Sequence, residues 1–316
     1  MLPDHLDDPG QSTLKSLTII YTTARQEPKI EWFLDSLASQ LGKEQVSVIV
    51  VWYDQPKEIY APDNISLRYT APKPSVWQGA ARLTKQDWWA KSNALNTGIA
   101  LARTDWIACV DDRCVLLPGW LNSIREAMVG RYAVCGSYEK RHGLKVEAGQ
   151  ITDPGTMDGT DVRSPKGRDH RELLRNHVVK CVGGWWFGCC NALPLGWALA
   201  VNGYSEDLCD GLGMEDVCFG LTLEHSGFEI RYDPRMKAIQ DRTPGELGKP
   251  MIRRDFGTSP DDKSHALLKK FQNAKTSGNS FDIRKLRESV LRGEPWPKPS
   301  AIDRDWYTGT PLAEMQ

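Results

Sequence analysis

Polar residues stand at three places in this 316-residue chain where a buried strand should end. These are Thr22, Thr23 and Arg25 after the run SLTIIY, Asp54 after VSVIVVWY, and Asp111–Asp112 after WIACV. Each group alone is ordinary turn chemistry. Together they point to a ligand, because in open α/β sheets ligands collect beyond the carboxyl ends of the strands. A further acidic pair, Glu215–Asp216, opens the helix-like stretch Met214 to His225. Carboxylates in a first helical turn meet free amides and the positive dipole end, which favours the ionised form and suits a proton acceptor. The plain reading of the same pair is decoration of a helix N-terminus. Lys91 lies near the start of another helical stretch, Asp87 to Arg103, and a lysine there can neutralise a diphosphate.

The elements that must position these groups follow from apolar patterning. Ser16–Tyr21, Val46–Tyr53 and Trp106–Val110 read as buried strands, with Ile65–Tyr69 a further candidate. Ile30, Phe33, Leu34, Leu37 and Leu41 have helical spacing, and Pro118–Val129 reads as a helix starting near a proline. Strands alternating with helices predict an α/β sandwich with a largely parallel sheet. Tyr132–Lys140, Gly183–Pro194 and Phe228–Tyr232 read as later strands, and Leu195–Val201 as a short helix. Arg141–Lys180 is polar and aperiodic, and such stretches are usually mobile or functional.

Composition removes several classes. The net charge of -1 argues against a protein built to coat nucleic acid, and no apolar run is long enough to span a bilayer. The polar N-terminus has no signal-peptide pattern. All eight cysteines lie between Cys109 and Cys218, without C-x-x-C or zinc-finger spacing, and read as buried free thiols of a cytoplasmic protein. There is no G-x-G-x-x-G and no P-loop, which disfavours NAD enzymes and kinases. Twelve tryptophans are present; most are expected in packing, with a few as platforms for a ring-shaped ligand.

Three segments together resemble the family 2 glycosyltransferases of GT-A fold. They are SLTIIYTTARQEPKIEWFLDSLASQ with VSVIVVWYD, then KSNALNTGIALARTDWIACVDDRCVLLPGWL, then WFGCCNALPLGWALAVNGYSEDLCDGLGMEDVCFGLTLEHSGFEIRYDP. The resemblance runs from about Leu17 to Asp241. It implies a GT-A three-layer sandwich over 16–241, with a nucleotide-sugar half at 16–130 and an acceptor half at 131–241. A polar N-terminal arm, 1–15, precedes it, and a basic helical and extended appendage, 242–316, follows. The resemblance places Thr22, Thr23, Arg25, Asp54, Lys91, Asn96, Asp111, Asp112 and Arg113 at the donor, a nucleotide-diphosphate sugar with UDP the default carrier. It makes Asp216 the base of an inverting transfer, with Glu215 beside it, and puts Trp185, Trp186 and Asn191 on the acceptor side.

The chain departs from the family's D-x-D motif, because Arg113 stands where the second aspartate would be. Two readings follow. Asp111 and Asp112, with Asp241 replacing a later histidine, hold a divalent cation, Mn²⁺ or Mg²⁺; or Arg113 itself supplies the positive charge. The absence of Q-x-x-R-W argues for a soluble, non-processive enzyme. The expected acceptor is a glycan or a hydroxymethylated base in DNA. The DNA option rests on fifteen Lys/Arg against eight Asp/Glu between Arg235 and Lys298, including Arg253–Arg254, Lys269–Lys270, Arg284, Lys285 and Arg287. Arg163, Lys166, Arg168, Arg171 and Arg175 would form a lid on that side. The alternatives are a non-catalytic nucleotide-sugar or glycan-binding protein and a nucleotidyltransferase.

Overall fold

A computed structural model describes residues 16–54, 60–159, 167–210, 213–243, 260–299, 302–307 and 309–315. The N-terminal arm, Arg163, Lys166, Arg253 and Arg254 lie outside the described residues. The elements in order are β1 (Leu17–Thr22), α1 (Ile30–Leu41), β2 (Val46–Val51), β3 (Ile65–Thr70), α2 (Lys91–Leu101), β4 (Trp106–Asp111), β5 (Cys114–Leu116), α3 (Trp120–Gly130) and β6 (Ala133–His142). Then come β7 (Lys145–Glu147), β8 (Gln150–Asp153), β9 (Thr156–Met157), α4 (His170–Leu174), β10 (Val179–Lys180), β11 (Cys190–Pro194), α5 (Leu195–Ala200) and α6 (Glu206–Cys209). The chain continues through α7 (Glu215–His225), β12 (Ile230–Asp241), α8 (Pro260–Phe271) and α9 (Ile283–Leu291).

The main sheet runs β10-β12-β6-β11-β4-β1-β2-β3, with β5 on β12 and β9 on β6. The pairs β4-β1, β1-β2, β2-β3 and β6-β12 are parallel, whereas β11 lies antiparallel between β4 and β6. The fold is the expected mixed, mostly parallel α/β sandwich. Alternation along β1 builds both cores: Ile19 and Tyr21 face Phe33, Leu37 and Trp120 of α1 and α3, while Ile20 faces Leu95 and Ile99 of α2. All eight cysteines are free thiols, and no helix among the described residues is long and apolar enough to cross a membrane.

Three local expectations need correction. Helix α2 begins at Lys91 rather than Asp87, because the preceding backbone is tied elsewhere: Trp88 N donates to Trp77 O (3.0 Å) and Ala90 N to Gln78 Oε1 (3.2 Å). The apolar run Gly183–Pro194 is a strand only from Cys190. Before it, Trp185 N and Trp186 N close a tight turn onto Val182 O and Gly183 O. That turn lies against α7, and a Cβ on Gly183 would meet Gly220 O at 2.2 Å, so the two backbones touch through glycine. The described part of Arg141–Lys180 is built structure: β7 and β8 form a hairpin, β9 pairs with β6, and α4 follows.

Two described segments after Thr243 pack on the sandwich. Ile283 of α9 is buried in the core on the α2 side, and Leu312 is buried with Val76, Trp77 and Ala90.

Candidate active site

Parallel pairing sets Thr22 beside Asp111 at the carboxyl ends of β1 and β4. Just beyond, Thr23 Oγ1 donates to Asp112 Oδ2 at 2.7 Å, and Arg25 Nε lies 3.3 Å from the same oxygen. Burial pushes the Asp112 carboxyl up, and Arg25 and Thr23 pull it back. Asp54 is exposed past the end of β2.

Lys91, the first residue of α2, is the hub of the cleft. Its Nζ donates to Asp111 Oδ1 at 2.8 Å and lies 3.4 Å from Glu215 Oε1. Burial opposes its charge, but Asp111 and Glu215 hold the ammonium well above the usual lysine range. The first turn of α2 is anchored from a distance: Asp210 accepts from Ser92 N (2.8 Å) and Asn93 N (3.1 Å). This carboxylate occupies the orphan amides of a helix N-terminus whose own cap, Ala90, has none to give.

On the opposite wall, α7 presents Glu215 and Asp216. Asp216 Oδ2 accepts from Gly188 N at 2.9 Å, and Oδ1 accepts from Val217 N at 2.8 Å. Both lone-pair sets are thus oriented by backbone. Glu215 differs from expectation. Burial pushes its carboxyl up against the pull of Lys91, so the helix terminus does not dominate. The two carboxylates of one helix turn therefore sit in different environments. A Cβ on Gly188 would lie 3.3 Å from Lys91 Nζ and 3.6 Å from Asp216 Oδ2, which places lysine, carboxylate and turn around one small space.

Several expected site residues do other work. Asn96 is buried: its amide donates to Tyr204 O and Glu206 Oε1, both at 2.8 Å, and its oxygen accepts from Tyr204 N. It fixes the 203–206 turn, where Gly203 has φ 70° and no room for a Cβ beside Asn96. Trp186 is fully buried against Phe219 and offers no face to an acceptor ring. Trp185 is half-buried and packs edge-on to Tyr232 at 5.6 Å. Asn191 is buried and donates to Phe187 O at 3.3 Å, supporting the turn from below. The two tryptophans are expected on a strand that the backbone does not form at 185–186, whereas Asn191 does lie in β11.

Arg113 does not face the cleft charge. At φ 53° it turns away, pairing with Asp241 Oδ2 at 2.8 Å and donating to Thr243 O at 2.7 Å. Asp241 also accepts from the Thr243 hydroxyl at 2.6 Å. So Asp111 is bound by Lys91, Asp112 by Thr23 and Arg25, and Asp241 by Arg113. Among the described residues no three His, Cys, Asp or Glu side chains converge as a metal would require. The donor set predicted from sequence does not fit a divalent cation in this arrangement.

The described basic residues divide into exposed ones, Lys269, Arg284 and Lys285 among them, and engaged ones. Arg287 donates to Ala102 O, Lys270 lies over the Trp306 ring, and Arg171 is completely buried.

Polar strand ends of a mostly parallel sheet facing the acidic start of a helix make this an α/β sandwich of the kind that binds a ligand beyond its strand ends. The comparisons agree. The family model described as glycosyl transferase family 2 matches residues 18–189, and the chain belongs to that family. No curated protein matches its sequence. Among solved structures it is similar to Staphylococcus aureus TarS 1–349 in complex with UDP-GlcNAc, at 11% identity, TM-score 0.51, with 87% of this chain and 70% of that one covered. It is also similar to GalNAc-T7 with UDP, GalNAc and Mn²⁺, at 12% identity, TM-score 0.49, with 91% and 60% covered. The TarS likeness shows the shared fold.

Sequence reasoning missed Gly188 and Asp210, and it placed Arg171 on a surface lid although its side chain is fully buried. Glu206 accepts from Lys73 Nζ (2.7 Å), Asn93 (3.1 Å) and Asn96 (2.8 Å), making a buried network under α2. Only a missing N-cap before Lys91 signalled that a distant acid was needed there.

Proposed function

We propose that this glycosyltransferase is an inverting enzyme that moves a sugar from a nucleoside-diphosphate sugar to a hydroxyl of a glycan acceptor, with Asp216 as the base. The residues 16–130 bind the donor, and 131–241 the acceptor. UDP is the proposed carrier, in line with the UDP-GlcNAc complex of TarS. The observation that carries the reading is the bond from Gly188 N to Asp216 Oδ2 at 2.9 Å, directly across from the Lys91–Asp111 pair.

In the proposed reaction the acceptor oxygen attacks the anomeric carbon while its proton passes to an Asp216 carboxylate oxygen. The bond from the anomeric carbon to the β-phosphate oxygen breaks, and its electron pair leaves with the nucleoside diphosphate. The Lys91 ammonium faces that developing charge, and its preorganised position lowers the cost of separation. Arg25, half-buried beside Asp112, supplies a second cation on the donor side. Thr22, Thr23 and Asp54 stand at the strand ends where base and ribose would lie. Glu215, held partly by Lys91, orients the acceptor rather than taking its proton. Trp185 keeps a partly exposed edge on that wall. A glycan hydroxyl is preferred over a DNA base because Arg171, one of the arginines expected on a DNA-facing lid, is completely buried, and the UDP-GlcNAc complex of TarS fits a glycan product.

The test is product analysis on a panel of nucleotide sugars. Release of nucleoside diphosphate with a new glycosidic bond of inverted configuration supports the reading. Release of pyrophosphate, or no turnover of any donor, contradicts it.

A further inference from the structure

Arg171 sits in the segment whose polarity suggests a surface lid, yet both it and Asp169 are fully shielded from solvent. The pair is bidentate: Arg171 Nε lies 3.0 Å from Asp169 Oδ1, and Nη2 lies 2.6 Å from Oδ2. The remaining donors reach two carbonyls, Gly136 O at 2.6 Å and Trp185 O. The guanidinium carbon lies 4.2 Å from the centre of the Phe187 ring and 4.8 Å from that of Tyr232. A buried ion pair is a poor device for stability alone, since apolar residues of similar volume usually do as well. What a planar, five-donor fork adds is fixed direction.

That direction points at one turn. Arg171 grips the carbonyl of residue 185 and the ring of residue 187. The next backbone amide, Gly188 N, is the one that donates to Asp216 Oδ2. We infer that Arg171 is a positioning residue for sugar transfer: buried beneath the Trp185–Gly188 turn, it holds the amide that aims the Asp216 carboxylate. This rests on Asp216 acting as the base. Arg171 itself touches no reacting atom, and it works through the turn. Asp169 keeps it in register by binding one edge of the fork and, through Oδ1, by accepting from Arg171 N at 2.9 Å.

The test compares Arg171→Lys and Asp169→Asn with the wild type, and with Leu41→Ala at the far end of α1 as a core variant remote from the turn. Hydrogen exchange at the Gly188 amide, UDP affinity by calorimetry, kcat for transfer and Tm are measured, the kinetics well below each Tm. Arg171→Lys keeps the charge and loses the fork. It is expected to speed Gly188 exchange and to lower kcat, each at least ~10-fold, with UDP affinity within about twofold. Leu41→Ala is expected to lower Tm while leaving Gly188 exchange and kcat per folded molecule unchanged. Wild-type exchange and wild-type kcat in folded Arg171→Lys would overturn the inference. If Arg171→Lys does not fold, Asp169→Asn decides by the same readouts. A wild-type enzyme that transfers no sugar would sink the transferase reading instead, while the exchange measurement still judges whether Arg171 holds the turn.

Discussion

Substituting Gly188 by alanine should separate folding from chemistry in this enzyme. Gly188 does not sit in the left-handed region, so alanine fits its backbone. The added Cβ would lie 3.3 Å from Lys91 Nζ, 3.5 Å from Asp216 Cβ and 3.6 Å from Asp216 Oδ2. Only the first contact is tight, and it is with the end of a flexible side chain, so a small shift relieves it. The expected stability change is within about 1 kcal/mol, the size of an ordinary glycine-to-alanine change at a compatible site. The methyl group nonetheless takes the space between ammonium and carboxylate, where the proposed reaction brings acceptor oxygen and anomeric carbon together. Displacement of reacting groups by about 1 Å costs roughly 100-fold. Release of UDP from a UDP-sugar, followed with a coupled assay beside a thermal melt, should therefore fall about 100-fold at nearly constant Tm. Unchanged Tm together with activity within twofold of wild type would refute the placement of the reaction in this space.

Three other outcomes follow from the same geometry. Lys91→Met removes a charge-assisted contact worth about 1.5–3 kcal/mol, so UDP binding by calorimetry should weaken roughly 10- to 150-fold; binding within twofold would remove Lys91 from the donor site. Asp210 is raised well above its ordinary 3.8, chiefly by burial and then by the neighbouring Glu206, so the folded chain holds its proton more tightly than the unfolded chain. Its contribution to stability is present below 3.8 and is lost as pH rises through the raised value, so Asp210→Asn should flatten that part of the Tm-against-pH curve; an unchanged slope would contradict this. Excess EDTA should leave transfer within twofold, because Asp111, Asp112 and Asp241 are each held by a cationic or hydroxyl partner of the chain itself; loss in EDTA restored by Mn²⁺ would show that a cation displaces Lys91 from Asp111.

Much of the fold is legible in local patterning. The apolar runs at 17–22, 46–51 and 106–111 become the three central parallel strands, and the polar residues after two of them meet in the cleft. The spacing of Phe33, Leu34, Leu37 and Leu41 gives the buried face of α1. Where the reading fails, a distant partner decides. GGWWFG is as apolar as a strand, but Gly183 and Gly220 let the backbone dock on α7, and the turn sends Trp186 into the core. Asn96 and Arg113 are polar residues near the right strands, yet Tyr204 with Glu206 claims the first and Asp241 the second. Arg171 is one arginine among many in a polar stretch. Its burial depends on Asp169, Gly136 and two rings from β12 and the 185–188 turn, none of which local pattern connects to it.

In the proposed reaction Asp216 takes the acceptor proton. The direct measurement is the rate of UDP release from the preferred UDP-sugar by Asp216→Asn, which keeps the shape and one of the two backbone bonds while removing the basic oxygen. A fall of about 10²- to 10⁴-fold is expected, with UDP affinity within twofold of wild type. Release within tenfold of the wild-type rate would contradict it.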